Sequence, residues 1–159
     1  MINRILSPAK ALRTLRKTAL LLDGLLAPVS QAQAAALRDG ADGWSVLSIA
    51  CHLRDYERII AGRLDDILAR ERPALADMDN DALAAVNRYA DQELGTVLAE
   101  LRAGRQALLD RLAGLADEQW GREGVHPSQG PGTVLDIAIN AGLHDVDHLE
   151  QLARCLAGA

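Results

Sequence analysis

The sequence predicts an all-α protein, an up-down four-helix bundle with longer crossover loops, and three observations carry that expectation. The chain of 159 residues contains no Phe and only 3% aromatic residues, so its core must be built from Leu, Ala, Ile and Val. Ala and Leu are strong helix formers, whereas strands favour aromatic and β-branched side chains. Apolar residues recur at alternating spacings of three and four in four long stretches, the period of a helix with one buried face. The segments between those stretches carry Gly and Pro, and some are long enough to be crossovers of a bundle. One domain, 1–159, with a self-sufficient core is expected, and no internal repeat is visible.

Ser7-Pro8 suits the start of the first helix, with serine as cap and proline at the first helical position. Ile5, Leu12, Ala19 and Leu26 recur every seven residues along it, Leu15 and Leu22 fill the second line, and Pro28 ends it. Val29 to Gly43 reads as a long crossover or a loop carrying a short helix. The second helix is expected from Trp44-Ser45 to about Arg70, before Arg72-Pro73. Its inner stripe is Val46, Ile49, Leu53, Tyr56, Ile60, Leu64 and Ile67. His52 falls on the flank of that stripe and Cys51 on the opposite, polar side. Arg54, Arg58 and Arg63 make a small basic stripe that reads as a solvated face.

Asp79-Asn80-Asp81 offers caps for a third helix reaching about Leu115 along Leu94, Leu101, Leu108 and Leu115, with Val97 and Leu112 beside them. Asp117 to Gly132, including Trp120, His126-Pro127 and Gly130-Pro131-Gly132, is expected to be a loop. The fourth helix runs from Thr133 to about Leu156, with Leu135, Ile139, Val146, Leu149, Ala153 and Leu156 as its core stripe. His144 and His148 lie between that stripe and the polar side. Asp145 turns inward, where a carboxylate needs a partner or costs several kcal/mol.

The net charge of -5 speaks against a nucleic-acid surface, which needs a concentrated positive field. Two cysteines, Cys51 and Cys155, are too few for a disulfide framework and suit a reducing compartment. Arg13 to Lys17 and the apolar run after them loosely imitate a leader, but Asp23 interrupts the run and an amphipathic helix fits better. No stretch approaches the roughly 20 apolar residues of a membrane span. A cytoplasmic protein is expected, with no nucleic-acid or membrane partner.

His144 and His148 leave one helix face a turn apart, a spacing that suits a divalent metal, although two surface histidines can fall there by accident. His52, on the second helix, could meet them in a bundle. Three histidines from two helices leave a metal with open positions, as catalytic sites do. His126 reads as a turn residue before proline. Tyr56, one turn from His52, is a candidate to meet a substrate with its hydroxyl, against the commoner role of a core residue. Asp145 is a candidate to receive the second ring N–H of a metal-bound histidine, against a simple helix–helix hydrogen bond. Cys155 suits a small buried hydrophobe and Asn140 a solvated position.

Trp44-Ser45 opening a helix, Ala50-Cys51-His52-Leu53, the Gly130-Pro131-Gly132-Thr133 entry and His144-Asp145-x-x-His148-Leu149-x-Gln151 together resemble the DinB-like superfamily of metal-binding bundles. The order of helices and the Leu112 to Trp120 hinge are similar too, so the resemblance spans nearly the whole chain. It implies a divalent metal at His52, His144 and His148, nickel or zinc foremost with iron or manganese as alternatives, with water completing the shell. It also implies a homodimer. Relatives include thiol-dependent S-transferases and maleylpyruvate isomerases that use bacillithiol, mycothiol or glutathione. The expected function is therefore a metal-dependent enzyme that activates a low-molecular-weight thiol. The alternatives are a non-catalytic metal-binding or stress-response bundle acting through its dimer surface, and a metal-dependent hydrolase. The superfamily's name refers to induction by DNA damage and not to DNA binding.

Overall fold

A computed structural model describes residues 6–158, so Ile5 of the first stripe and the outermost ends of the expected domain lie outside the described residues. Helix α1 (Pro8–Leu26) begins where the Ser7 hydroxyl accepts from the Lys10 amide, a cap of about 1 kcal/mol. The short helix expected in the first connection is α2 (Gln31–Ala36), opened by a capping box between Ser30 and Gln33. Ser45 caps α3 (Val46–Ala69), and Asp79 caps α4 (Asn80–Val86).

The expected third helix does not run unbroken from Asp79. Arg88, at φ 48°, ends α4 in the left-handed region, and a single 3-10 turn, Tyr89–Asp91, follows. That break turns Tyr89 into the core, where its hydroxyl donates to Asp55 Oδ2 at 2.8 Å. The long helix α5 (Leu94–Ala113) starts only afterwards. The expected loop from Asp117 to Gly132 also holds structure: a 3-10 turn, Asp117–Gly121, and an antiparallel hairpin of β1 (Glu123–His126) and β2 (Gly130–Thr133). Gly130, at φ 78°, supplies a conformation that other residues rarely adopt. The hairpin is tied to the segment after α3, with the Val125 amide donating to Pro73 O and the Leu75 amide to Val125 O. Thr133 and Asp136 then form the capping box of α6 (Val134–Ala157).

The four long helices pack in a ring in which α1 lies between α6 and α5, and α3 lies between the same two. Contact partners give their directions. Arg54 meets Glu100 and Arg111 meets Asp65, so α3 and α5 are parallel. Thr18 meets Asp145, and Gly142 lies against Thr14, so α1 and α6 are parallel as well. Tyr56 meets Asn140 while His52 meets His144, which makes α3 and α6 antiparallel. Consecutive partners α1 and α3, and likewise α5 and α6, therefore stand diagonally, and the crossovers containing α2 and the hairpin span those diagonals. The segment with α4 returns the chain along the bundle so that α5 can run parallel to α3.

Two apolar clusters fill the interior. One joins Leu22, Leu26, Val46, Leu47, Leu53 and Leu152, and the other joins Leu15, Ile60, Leu64, Ile67, Leu112 and Val134. Between them the bundle buries one polar side chain from each long helix: Thr18, Glu57, Arg105 and Asp145. Helix α3 is enclosed on nearly every side. Cys51 is accordingly buried against the Tyr89 segment and not on a polar side, and Arg54 and Arg63 are buried and not solvated, while Arg58 is exposed.

The buried face of α6 is Val134, Ala138, Ala141, Gly142, Asp145, Leu152 and Cys155, about one residue from the expected stripe. Val146, expected inside, is 49% exposed, and Leu143 is exposed too. Small residues let α1 approach closely: a Cβ at Gly142 would come 2.8 Å from Thr14 Cγ2. Among the described residues, no helix is long and apolar enough to cross a membrane.

Candidate metal centre

One turn separates His144 from His148 on α6, so both rings leave the helix on one side. The antiparallel crossing of α3 brings His52 to meet them. His52 Nε2 lies 2.9 Å from His144 Nε2, and His148 Nε2 lies 3.2 Å from the same atom. One ligand atom from each of the three residues falls within 4.8 Å of the others. Two nitrogens held about 2.0–2.1 Å from a common cation stand roughly 2.9–3.4 Å apart, depending on the coordination angle. The cluster therefore has the dimensions of a ligand set for one ion, and it brings together all three predicted metal residues.

The surroundings orient these rings, and burial keeps His52 and His144 neutral. Burial, and then the neighbouring His148, push His52 down to about 4; burial with His148, His52 and Arg105 pushes His144 down to about 3. A neutral imidazole is the form that binds metal. The edge of Trp44 meets the His52 ring at a centroid distance of 5.2 Å, and Tyr56 stacks on His144 at 3.7 Å. His148 Nδ1 lies 2.8 Å from Gln151 Oε1, so the ring donates there and keeps its Nε2 lone pair for the cluster. Gln151 donates in turn to Asp39, which also receives Arg154. His52 Nδ1 and His144 Nδ1 are buried without a hydrogen-bond partner among the described residues. Three imidazole nitrogen donors fit zinc, nickel, copper or iron.

Asp145 does turn inward, and only 1% of it is exposed, but its oxygens go elsewhere. They accept from Thr18 and Arg105, so the helix–helix alternative is the one observed and Asp145 is not the acceptor for a histidine N–H. Its reach is spent across the bundle because Arg105 offers a full charge there. The partner of that kind is Gln151, for His148 alone. Sequence reasoning missed Arg105 and Glu57, yet a signal existed: Arg105 stands between Leu101 and Leu108, and Glu57 between Leu53 and Ile60, each at apolar-stripe spacing.

Tyr56 is buried, and its hydroxyl accepts from Asn140 Nδ2 at 3.2 Å. It also lines a cleft of about 340 Å³ shared with His144, Asn140, Arg63 and His126. This cleft continues between α6 and the hairpin into a lobe of about 310 Å³. His126 is therefore more than a turn residue: it ends β1, and its Nε2 lies 3.0 Å from Arg63 Nη2 on the cleft wall. It does not join the three-histidine cluster. Cys155 is buried in an apolar cluster.

Comparison with known proteins finds the same fold elsewhere. The structure is similar to YfiT from Bacillus subtilis, described as a probable metal-dependent hydrolase with an unusual four-helix bundle topology, at a TM-score of 0.86 and 19% identity over 98% of this chain and 90% of that one. It is also similar to TT2238, described as a four-helix bundle protein, at a TM-score of 0.65 and 28% identity over 92% of this chain and 98% of that one. No curated protein sequence matches. The sequence model of the DinB superfamily matches residues 13–152, a span that includes His52, His144 and His148, and the chain belongs to that superfamily.

Proposed function

We propose that the protein is a metal-dependent enzyme in which His52, His144 and His148 hold one divalent cation, nickel or zinc foremost, and a low-molecular-weight thiol is activated there for transfer to an electrophile. The observation that carries this reading is the meeting of three Nε2 atoms beside a cleft large enough for a small substrate. When bound, the cation supplies Lewis acidity that lowers the pKa of a thiol near it, so that thiolate is present near neutral pH. Burial pushes the Tyr56 phenol up, so it stays protonated; with Asn140 donating to its oxygen, its own proton points a donor at a substrate in the cleft. Gln151 fixes the His148 ring, and the packed edge of Trp44 closes the far side of His52 to water. Cys51 and Cys155 are both buried, so the thiol arrives as a co-substrate, with bacillithiol, mycothiol and glutathione as the candidates.

Likeness to YfiT supports a second reading, a metal-dependent hydrolase with water in the thiol's place. We also propose a homodimer, for which the exposed Leu20, Leu21, Leu143 and Val146 on the adjoining helices α1 and α6 offer apolar surface. Metal-loaded protein offered each thiol with monochlorobimane, with and without a chelator, tests the activity. Metal-dependent conjugation with one thiol supports the transferase. Metal-dependent cleavage of ester or amide substrates without conjugation supports the hydrolase, and inactivity in both assays supports a metal-binding bundle without catalysis.

A further inference from the structure

Arg54, Arg63 and Arg105 are the buried arginines among the described residues. Arg105 faces Glu57 and Asp145, and Arg54 faces Asp55 and Glu100. Arg63, only 8% exposed, faces no carboxylate at ion-pair distance. Its Nε and Nη2 donate to the Ala76 carbonyl at 3.2 and 2.8 Å, and Nη2 also meets His126 Nε2 at 3.0 Å. Neither partner is an acid, and Nη1 makes no hydrogen bond to the described residues. Of the acids lining the inner lobe, Asp77 is exposed and approaches His126 Nε2 at 3.6 Å rather than the guanidinium, and the exposed Asp147 makes no ion pair with Arg63. Asp136, in the outer lobe, is occupied by Thr133.

A buried guanidinium without a counter-charge is costly, and the cost is offset when an anion arrives. This one lines both lobes of the cleft that reaches His144. With Nε and Nη2 held at the Ala76 carbonyl and Nη2 against His126, the guanidinium plane is already oriented, and its Nη1 N–H groups are left to donate to a carboxylate or phosphate oxygen. The Gln129 and Asn140 amides line the same lobes and carry further N–H donors. We propose that Arg63 binds an oxyanion, a carboxylate or a phosphate, on a small molecule occupying the cleft, and so selects acidic substrates for the histidine site. Tyr56, stacked on His144, and Arg63 are two turns apart on α3, about 10 Å at 1.5 Å per residue. A substrate with its anionic group roughly 8–12 Å from its reacting atom fits that separation. This length rests on the metal-centred reading of the site; the anchor itself does not.

The test uses full-length protein labelled with 15N at arginine, both chelator-treated and zinc-loaded. Acetate, succinate, inorganic phosphate, glutathione and glutathione diethyl ester are titrated while the Arg63 Nε–H resonance is followed, assigned by its loss in Arg63→Lys. The expected result is a saturable shift with the free acids or phosphate in both metal states, and the stronger of the two classes identifies the anion. Arg63→Met should weaken that binding at least tenfold and Arg63→Lys less. Esterification should weaken binding to the wild type but not further in Arg63→Met. Because the ester comparison needs no substitution, loss of the Ala76 contact in a variant does not obscure the result. A purely structural Arg63 gives no shift with any probe, or equal affinity in Arg63→Met, or equal affinity for acid and ester; each outcome overturns the proposal. Failure of the protein to bind zinc with anion binding intact would count against the metal reading alone.

Discussion

Arg105 grips Asp145 through both ends of its guanidinium, Nη1 to Oδ2 at 2.9 Å and Nη2 to Oδ1 at 3.0 Å, and Asp145 is the residue next to His144 on α6. The same guanidinium donates to Glu57 on α3 and to the Leu15 carbonyl on α1. One cation thus ties all four long helices together beside the candidate metal centre. Burial works against its charge, but Glu57 and Asp145 outweigh that and keep it protonated.

Removing that cation strands two buried carboxylates. Arg105→Met is therefore expected to lose about 3–5 kcal/mol in urea unfolding. Glu57→Gln should cost less, because burial pushes the Glu57 carboxyl up and its Oε2 has no hydrogen-bond partner.

Asp55 links α3 to the segment with α4. Burial opposes its charge, but hydrogen bonds from Arg54, Tyr89 and Asn87 outweigh that and hold the carboxyl below its usual range. The unfolded chain then takes up the proton first as pH falls. The stability this group contributes is present above about pH 4 and is lost as pH drops through the lower folded value. Asp55→Asn should accordingly be destabilised at pH 7, and its deficit against the wild type should shrink steadily below about pH 4 in unfolding curves taken at a series of pH values.

The cysteines are expected to be inert. Burial pushes the Cys51 thiol up to about 11 and raises that of Cys155. Native protein at pH 8 should release no thionitrobenzoate from Ellman's reagent on the time scale in which guanidinium-unfolded protein reacts at both thiols.

Gln151 positions one imidazole. Gln151→Leu should weaken metal binding about 10–100-fold, measured by competition with a chelating dye, while unfolding of the metal-free protein changes little.

The histidine site was legible in the sequence because a helical period fixes which way His144 and His148 point, and His52 lies on the helix that packs against them. The register of α6 was less legible. Its inner face is made of Ala138, Ala141 and Gly142, whose small side chains permit close packing but score weakly as apolar, so the larger Leu135 and Val146 suggested a face about one residue away. Arg88 and Tyr89 broke the expected third helix through tertiary contacts, with a phenol reaching Asp55 across 34 residues of sequence. The pairing of Arg105 with Glu57 and Asp145 could not be read without knowing that α3 and α5 run parallel, which local patterning does not encode.

Metal content gives the most direct test of the central claim. Protein purified without an affinity tag, reconstituted with zinc or nickel and desalted, should carry about one ion per chain by mass spectrometry of the elements, with tight binding lost in His52→Ala, His144→Ala and His148→Ala alike. A wild type that retains no ion, or histidine variants that retain as much as the wild type, would contradict the account.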